Sequence, residues 1–157
     1  MKDKKAVIFY FFMALILIDF GNQLRKIFQN PLSGQKIDNP VFSIVNVNNT
    51  GSAFSLFQNS AEILAIFGIL AVIFIAIYVI KSVGFEEKNK LLSLTLFSAG
   101  ALGNAIERMR FGSVADYFKL NFVDFPIFNA LDIMICTGIF LYCICILLEI
   151  KNDINKN

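Results

Sequence analysis

Two aspartates, Asp116 in the segment VADYF and Asp132 in the segment FNALD, are the side chains of this sequence best suited to chemistry. The chain has no histidine, which excludes a His-containing triad, a His general base and a His metal ligand. Two carboxylates held close together cannot both ionise cheaply, so they share a proton near neutral pH. One can then activate a water while the protonated one polarises a carbonyl. The pair predicts aspartic-protease chemistry, which needs neither a metal nor a cofactor.

The composition places these aspartates in a membrane protein. Of the 157 residues, 57% are hydrophobic and 17% are charged, whereas a soluble domain is about half apolar and about 25% charged. The net charge of +2 is small and the basic residues cluster at helix ends, which argues against a nucleic-acid partner. A chain of this length is expected to form a single membrane domain, residues 1–157.

Four apolar runs are long enough to cross a bilayer as helices. We expect these helices at residues 6–28, 61–83, 91–109 and 128–150. The first run resembles a signal peptide, but polar residues follow it instead of a small-x-small cleavage site, so we expect it to remain as a helix. Two polar segments, 29–60 and 110–127, contain β-rich runs at 41–47 and 118–123. The sequence predicts an all-α transmembrane four-helix bundle with a small β-sheet on one face.

The distribution of lysines predicts the orientation of the bundle. Four spans put both termini on one side of the membrane. The lysines of the short segments on that side are Lys2, Lys4, Lys5, Lys81, Lys88, Lys90, Lys151 and Lys156. The positive-inside rule then places both termini in the cytoplasm and the segments 29–60 and 110–127 together on the outer face of the membrane.

Helical rise predicts that polar side chains from three helices converge near the outer face of the membrane. Asp19 and Asn104 each lie thirteen residues from the inner end of their helix, or roughly 20 Å. Asp132 lies eighteen residues from the inner end of the last helix, or about 27 Å, in a hydrocarbon core about 30 Å thick. Ionisable residues inside a membrane are costly and by default mark a functional site. We therefore expect a carboxylate site in the outer leaflet, with Asp116 beside it.

Other interpretations fit part of this pattern. Asn129 and Asp132 have the spacing of a capping box, so Asp132 can be explained as a helix cap alone. An ion- or proton-coupled transporter would also use buried acids, although a relay needs ionisable groups through the midplane, where the four runs have none. A Ser–Lys protease using Ser52 or Ser55 with Lys26 has no supporting spacing.

Five short motifs, in order along nearly the whole chain, resemble those of lipoprotein signal peptidase, also called signal peptidase II. This is a family of bacterial inner-membrane aspartic proteases. The motifs are Asp19 after the first apolar run, NNTGSAF at 48–54, GALGNAIER at 100–108, VADYF at 114–118 and FNALD at 128–132. Each motif alone is weak, whereas five in order on a four-span frame are specific.

The resemblance implies that Asp116 and Asp132 are a catalytic dyad. It implies supporting or substrate-binding roles for Asp19, Asn49, Gly51, Asn104, Arg108, Asn129 and Ala130. Members of the family remove the signal peptide of a diacylglyceryl-modified prolipoprotein, cutting just before the lipidated cysteine. The signal helix is expected to enter laterally from the bilayer, and the loop from Asn49 to Phe57, with Phe54, to close over it.

The partners follow from the same resemblance. The substrate is a prolipoprotein in contact with membrane lipid, and the family implies sensitivity to globomycin-type inhibitors. We expect a monomer, because one chain supplies the whole site.

Two positions depart from the family pattern. Gln23 stands where many members have a lysine four residues after the aspartate of the first helix. This puts an ion pair of Asp19 with a lysine in doubt, although Lys26 lies on roughly the same helix face. Glu107 replaces the usual aspartate of the third-helix motif, and we expect it to support the site by pairing with an arginine.

Overall fold

The computed structural model describes residues 3–29, 38–52 and 56–155. The predictions made for Phe54 and Ser55 therefore lie outside the described residues. The helices are α1 (Lys4–Gln29), α2 (Ala61–Ser82), α3 (Lys88–Phe111) and α4 (Ala130–Ile154), and the strands are β1 (Phe42–Asn49) and β2 (Val114–Leu120). Each helix begins and ends within about one helical turn of its predicted limits. The predicted four-helix bundle with a small sheet is confirmed.

The third helix differs from the other three because it is the centre of the bundle. By length and composition α1, α2 and α4 can each cross a membrane, and α3 packs against all of them. Its buried face is rich in small and polar side chains that find partners inside the protein. Ser93 Oγ and Thr95 Oγ1 each donate to a carbonyl of α3 at 2.7 Å, and Tyr10 Oη donates to Ser98 Oγ at 2.7 Å. The exposed faces of α1, α2 and α4 are largely apolar, whereas α3 keeps most of its polar side chains inside the protein.

Glycines set the close approach of α3 and α4. A Cβ added at Gly103 would lie 2.8 Å from Leu131 Cδ2, and one added at Gly138 would lie 2.6 Å from the backbone nitrogen of Phe97. Small residues at a helix interface allow the two backbones to come together. This contact brings the first turn of α4 against the outer half of α3.

The two strands form an antiparallel pair, from Phe42 opposite Leu120 to Asn49 opposite Val114, with an irregularity in the middle of the register. The end of β1 therefore lies beside the beginning of β2. This pairing places Asn49 next to the part of β2 that contains Asp116.

The second strand begins earlier than its predicted run of 118–123. It starts at Val114, so Asp116 lies within a strand instead of at the beginning of a loop. The reason is that Gly112 ends α3 in the left-handed conformation, with φ 68°. A glycine at this position stops a helix sharply, and the chain enters the strand two residues later.

Candidate active site

Asp116 and Asp132 line one cavity of about 590 Å³, here called the site cavity, among α2, α3, α4 and the segment before α4. Asp116 lies in β2 and is 4% exposed, and Asp132 lies in the first turn of α4 and is partly buried. The other polar side chains of the site cavity are those of Asn49, Ser52, Asn104, Arg108 and Thr137. The rest of its wall is apolar, so the two carboxylates form the polar end of a hydrophobic cavity.

The carboxylate of Asp116 accepts a hydrogen bond from an amide on each of its oxygens. Asn49 Nδ2 donates to Oδ2 at 2.9 Å, and Asn129 Nδ2 donates to Oδ1 at 2.9 Å. Burial raises the pKa of Asp116 to about 6; the two amide donors oppose that rise and the nearby Asp132 carboxylate adds to it. Asp116 is therefore able to exchange a proton close to neutral pH.

Asp132 uses its two oxygens for different purposes. Oδ2 accepts from the backbone N–H of Asn129 at 3.0 Å and completes a capping box at the start of α4. The cap predicted from the spacing is therefore confirmed. Oδ1 accepts from Asn104 Nδ2 at 2.8 Å, across the contact between α3 and α4. The same carboxylate thus caps a helix and faces the site cavity. A capping role for Asp132 is therefore compatible with a role in the carboxylate pair.

Asn129 connects the two carboxylates. Its side-chain amide donates to Asp116 and its backbone N–H donates to Asp132. Its Oδ1 accepts from the backbone N–H groups of Leu131 at 2.7 Å and of Asp132 at 3.0 Å. Because both ends of this buried amide are engaged, its rotation is restricted, and Asn129 fixes the position of one aspartate relative to the other.

The segment before α4 is held against β2. Phe118 N donates to Phe128 O at 2.8 Å, and Phe128 N donates to Phe118 O at 3.0 Å. The N–H of Ala130 donates to the hydroxyl of Tyr117 at 3.0 Å, which satisfies one of the free N–H groups at the helix start. Sequence reasoning does not identify Tyr117, because strand alternation points it away from Asp116. A buried tyrosine hydroxyl needs a hydrogen-bond partner. This requirement is the signal by which the sequence could have identified Tyr117.

Arg108 lines the site cavity but forms no ion pair with either aspartate within the described residues. Its Nη2 donates to the carbonyl oxygen of Gly51 at 2.8 Å, and the N–H of Gly51 donates to Asn49 Oδ1 at 2.9 Å. Its buried Nε has no hydrogen-bond partner in the part of the chain that the structure describes. Arg108 therefore ties the loop after β1 to α3 and keeps one N–H donor without a protein acceptor among these residues.

Glu107, which departs from the family pattern, is buried behind the site and is 3% exposed. Its Oε1 lies 3.7 Å from Arg25 Nε, so the structure contains the expected pairing with an arginine. The Arg25 guanidinium also lies 4.3 Å from the centroid of the Phe111 ring. The other oxygen, Oε2, accepts from the backbone N–H of Ala115 at 3.1 Å. That second contact was not predicted, and it fixes the strand one residue before Asp116.

The remaining predicted residues lie at different distances from the site cavity. Asn49, Asn104 and Arg108 line it. Gly51 and Ala130 lie behind its wall and act through their backbones. Asp19, Gln23 and Lys26 lie on exposed parts of α1, and Asp19 forms no ion pair with Lys26 or any other described residue. The supporting role of Asp19 stays a prediction.

A second cavity, of about 580 Å³, meets the site cavity at Asp116 and is here called the outer cavity. The polar residues that line it are Asn48, Asn49, Thr50, Ser52, Gln58, Asp116, Lys119 and Asp124. Its walls come from β1, the loop after β1, β2, and the segment before α4. Asp116 therefore lies where a hydrophobic cavity among the helices meets a polar cavity beside the sheet.

A bundle of apolar helices with two amide-bound aspartates at one end defines a membrane-embedded protein with a paired-carboxylate site. This chain belongs to the signal peptidase II family, because the sequence model described as Signal peptidase (SPase) II matches residues 11–148. The family inferred from the five motifs is confirmed.

Individual relatives agree with this membership. The lipoprotein signal peptidase of Streptococcus pneumoniae is 34% identical over 155 residues, 98% of this chain and 99% of the relative. That of Dehalococcoides mccartyi is 36% identical over 135 residues, 82% of this chain and 83% of the relative. A solved structure described as a bacterial membrane enzyme has a TM-score of 0.79 at 25% identity, covering 91% of this chain and 90% of that one. A second with the same description has a TM-score of 0.73 at 25% identity, covering 88% and 92%.

Proposed function

We propose that this protein is an aspartic endopeptidase that removes the signal peptide of diacylglyceryl-modified prolipoproteins and cuts before the lipidated cysteine. Its relatives are named lipoprotein signal peptidases, which supports the class of substrate. The observation that carries the aspartic mechanism is that Asp116 and Asp132 line one cavity and are both hydrogen-bonded to Asn129. The whole chain, 1–157, acts as a single peptidase domain in this proposal.

In the proposed mechanism the two aspartates hold one proton between them. The ionised carboxylate removes a proton from a water as its oxygen attacks the carbonyl carbon of the scissile bond. The protonated carboxyl gives its proton to the carbonyl oxygen, and a tetrahedral diol results. The first aspartate then gives its proton to the amide nitrogen as the C–N bond breaks, and one diol hydroxyl returns a proton to the second. The products are a carboxylic acid and an amine, and the dyad again holds one proton.

The surrounding residues have separate roles in this proposal. The amides of Asn49, Asn104 and Asn129 hold the two carboxylates without supplying a positive charge. Arg108 is proposed to bind the substrate, because its Nε is buried beside the site cavity and a peptide carbonyl would satisfy it. Gly51 supports Arg108 through its carbonyl oxygen.

The two cavities that meet at Asp116 suit the two parts of such a substrate. The signal peptide is apolar and belongs in the site cavity among the helices, whereas the mature polypeptide is polar and belongs in the outer cavity. A chain that passes from one cavity to the other brings the bond between these parts to the aspartates. A substrate path between the two cavities is consistent with cleavage at the membrane surface.

The location and assembly follow from the same proposal. The protein crosses the bacterial inner membrane with the aspartates near the periplasmic face, as the family resemblance implies, and with both termini in the cytoplasm, as the lysine distribution predicts. It acts as a monomer, because one chain carries both aspartates and the amides that hold them. We expect inhibition by globomycin-type compounds, as the family resemblance implies.

Cleavage of a purified diacylglyceryl-modified prolipoprotein by wild type, Asp116→Asn and Asp132→Asn tests the mechanism. We expect each variant to stay folded in a thermal melt and to lose essentially all activity. Asp38→Asn is the matched control, because Asp38 is an exposed aspartate that accepts from Ser43 Oγ at 2.6 Å and does not line the site cavity. A folded Asp116→Asn or Asp132→Asn protein with near-wild-type turnover would show that the aspartic mechanism is wrong.

A further inference from the structure

Tyr117 follows Asp116 in β2, but its side chain lies outside the site. It lines neither the site cavity nor the outer cavity, and only 2% of it is exposed. Its hydroxyl accepts a hydrogen bond from the backbone N–H of Ala130 at 3.0 Å. Ala130 is the first residue of α4 and stands two residues before Asp132. One hydrogen bond therefore joins the strand that carries one aspartate to the helical turn that carries the other.

The backbone N–H groups at the start of α4 have acceptors of two kinds. The first N–H groups of a helix have no acceptor inside the helix. Those of Leu131 and Asp132 donate to the side chain of Asn129, which is the adjoining cap residue. The N–H of Ala130 instead donates to β2, through the hydroxyl of Tyr117. The cap shapes the start of the helix locally, whereas the tyrosine fixes where that start lies relative to the strand.

The ring of Tyr117 is held by two other aromatic side chains. It stacks on the ring of Phe28 from α1, with centroids 5.0 Å apart and an interplanar angle of 24°. It meets the ring of Phe118 edge to face, with centroids 4.8 Å apart. A tyrosine side chain has few rotatable bonds, so packing of the ring also fixes the hydroxyl. The acceptor for the N–H of Ala130 is therefore rigid, and α1 contributes to its position.

The hydroxyl of Tyr117 lies near three carboxylates and stays neutral. Burial raises its pKa, and the N–H of Ala130 opposes that rise. The carboxylates of Glu107, Asp132 and Asp116 raise the pKa of this hydroxyl further. The tyrosine therefore does not ionise in the range near pH 6 where Asp116 exchanges its proton. It holds the start of α4 without adding a charge to the site.

We propose that Tyr117 is a positioning residue that sets the separation of Asp116 and Asp132 by holding the first residue of α4 against β2. This inference rests on the proposed function, in which the two carboxylates share one proton. Sharing a proton requires a fixed separation, because a small misplacement of reacting groups lowers the rate. Asn129 connects the two carboxylates directly, and Tyr117 connects the backbones that carry them.

Tyr117→Phe tests this role, because it removes the hydroxyl and keeps the ring. Cleavage of a diacylglyceryl-modified prolipoprotein and a thermal melt are measured for each protein. We expect kcat to fall about tenfold, which is less than the ~10²-fold effect of a misplacement of about 1 Å. We expect KM to stay nearly constant, because Tyr117 lines neither cavity in which the substrate is proposed to lie.

Tyr10→Phe is the matched control. Tyr10 is also 2% exposed, and its hydroxyl donates to Ser98 Oγ at 2.7 Å. Neither Tyr10 nor Ser98 lines the site cavity or the outer cavity. Each of the two variants loses one buried hydrogen bond, so we expect similar falls in melting temperature. Tyr10→Phe should nevertheless keep the wild-type kcat, which separates positioning from a general loss of stability.

Phe28→Leu tests the same role while the hydroxyl is retained. It removes the ring on which Tyr117 stacks, and we expect kcat to fall about threefold at constant KM, because the hydroxyl is held less firmly. Phe9→Leu is the matched control, since Phe9 is likewise a partly buried phenylalanine of α1, with its ring 6.0 Å from that of Phe85. If Tyr117→Phe does not fold, this second pair of variants decides, and equal kcat values for Phe28→Leu and Phe9→Leu reject the inference.

The inference is also wrong if folded Tyr117→Phe and Tyr10→Phe have equal kcat, or if Tyr117→Phe changes KM alone. Wild type and Asp116→Asn are assayed with the same substrate. An inactive Asp116→Asn together with an unaffected Tyr117→Phe would reject the positioning role and leave the proposed function intact. If wild type does not cleave the substrate, or if Asp116→Asn does, the proposed function itself fails, and the inference fails with it.

Discussion

The carboxylates at the two ends of the bundle are held in opposite ways. At the outer end, Asp116 and Asp132 accept hydrogen bonds from neutral amides, and neither has an ion pair with a described residue. At the inner end, carboxylate oxygens of Glu149 and Glu87 lie 2.6 Å and 3.1 Å from Lys90 Nζ. The same protein thus neutralises one set of carboxylates directly and leaves the other set without a cation in contact among the residues that the structure describes.

This difference indicates what each set can do. An ammonium group in contact favours the charged form of a carboxylate and opposes its protonation. Neutral amides fix the geometry of a carboxylate and stabilise its charge less, so burial remains the dominant effect and raises the pKa of Asp116 to about 6. Carboxylates that exchange protons during a reaction need neutral amide donors. Carboxylates that only pair with a buried lysine suit direct contact with an ammonium group.

The largest expected effect in this comparison comes from Asn129→Ala. This change removes the donor to Asp116 and the acceptor that caps α4. We expect kcat to fall by at least about 10²-fold, because a small misplacement of reacting groups has that effect. We also expect a loss of about 1 kcal/mol of stability from the missing cap. Cleavage kinetics and thermal melts measure the two effects.

Asn121→Ala is the control for this experiment. Asn121 is an exposed asparagine of the outer face whose Nδ2 donates to Asn39 O at 2.6 Å, away from the aspartates. Its kcat should stay near the wild-type value. If Asn129→Ala also keeps a near-wild-type kcat, the amide network does not position the dyad.

A smaller effect is expected at Glu107, which acts as a positioning residue through the backbone of Ala115. Glu107→Ala leaves the buried N–H of Ala115 without its acceptor, a cost of about 1–3 kcal/mol. We expect kcat to fall about tenfold with little change in KM, because the position of Asp116 changes and substrate binding does not.

Glu107→Gln separates this positioning role from a charge effect. The glutamine keeps an oxygen that can accept from Ala115 and loses only the charge opposite Arg25. We expect it to retain most of the wild-type kcat. If the glutamine and alanine variants are equally impaired, the charge of Glu107 is the important property and the positioning argument is wrong.

The pH dependence of activity tests the role of the neutral donors. Asn49 Nδ2 donates to Asp116 and lowers its pKa, so Asn49→Ala should raise that pKa further above about 6. Activity is lost on the acid side when both aspartates are protonated and no base remains. The acid limb of the kcat/KM profile should therefore move to higher pH, by about half a unit to one unit for one hydrogen bond.

The matched control for the profile is Asn46→Ala, because Asn46 is an exposed asparagine of the same strand that does not contact Asp116. Its acid limb should coincide with that of wild type. An unchanged limb in Asn49→Ala, or a shift to lower pH, would mean that protonation of Asp116 does not control the acid side.

Local patterns were sufficient to predict the helices and the level of the polar residues. Hydropathy and helical rise depend on short stretches of sequence, and they correctly identified four helices with Asn104 and Asp132 toward one end. The motifs, which are also short stretches of sequence, identified the family. The start of β2 depends both on Gly112, which ends α3, and on pairing with β1, which lies more than sixty residues earlier in the chain and which local patterns do not specify.

The sequence also could not predict which face of α1 packs inward, or that Asn129 and Asp132 would both cap α4 and take part in the site. The buried face of α1 contains Tyr10, Ala14 and Ile18, and Asp19 follows Ile18, so it points away from that face. Which face of α1 packs inward depends on α3, and the sequence of α1 alone does not specify it. The spacing of Asn129 and Asp132 predicted a cap, but their contacts with Asp116 and Asn104 require the folded bundle.

The smallest expected effect is at the inner end, where Glu149→Gln weakens the ion pair with Lys90. The Glu149 side chain is 50% exposed, and an exposed ion pair contributes only about 0–1 kcal/mol. Lys90 also keeps its contact with Glu87. We therefore expect a fall in stability below about 1 kcal/mol and no change in kcat or in the acid limb of the pH profile. Thermal melts and cleavage kinetics measure these quantities. A clear shift of the acid limb in Glu149→Gln would show that the two ends are electrostatically coupled, and the contrast between amide-held and lysine-held carboxylates would then fail to explain the activity.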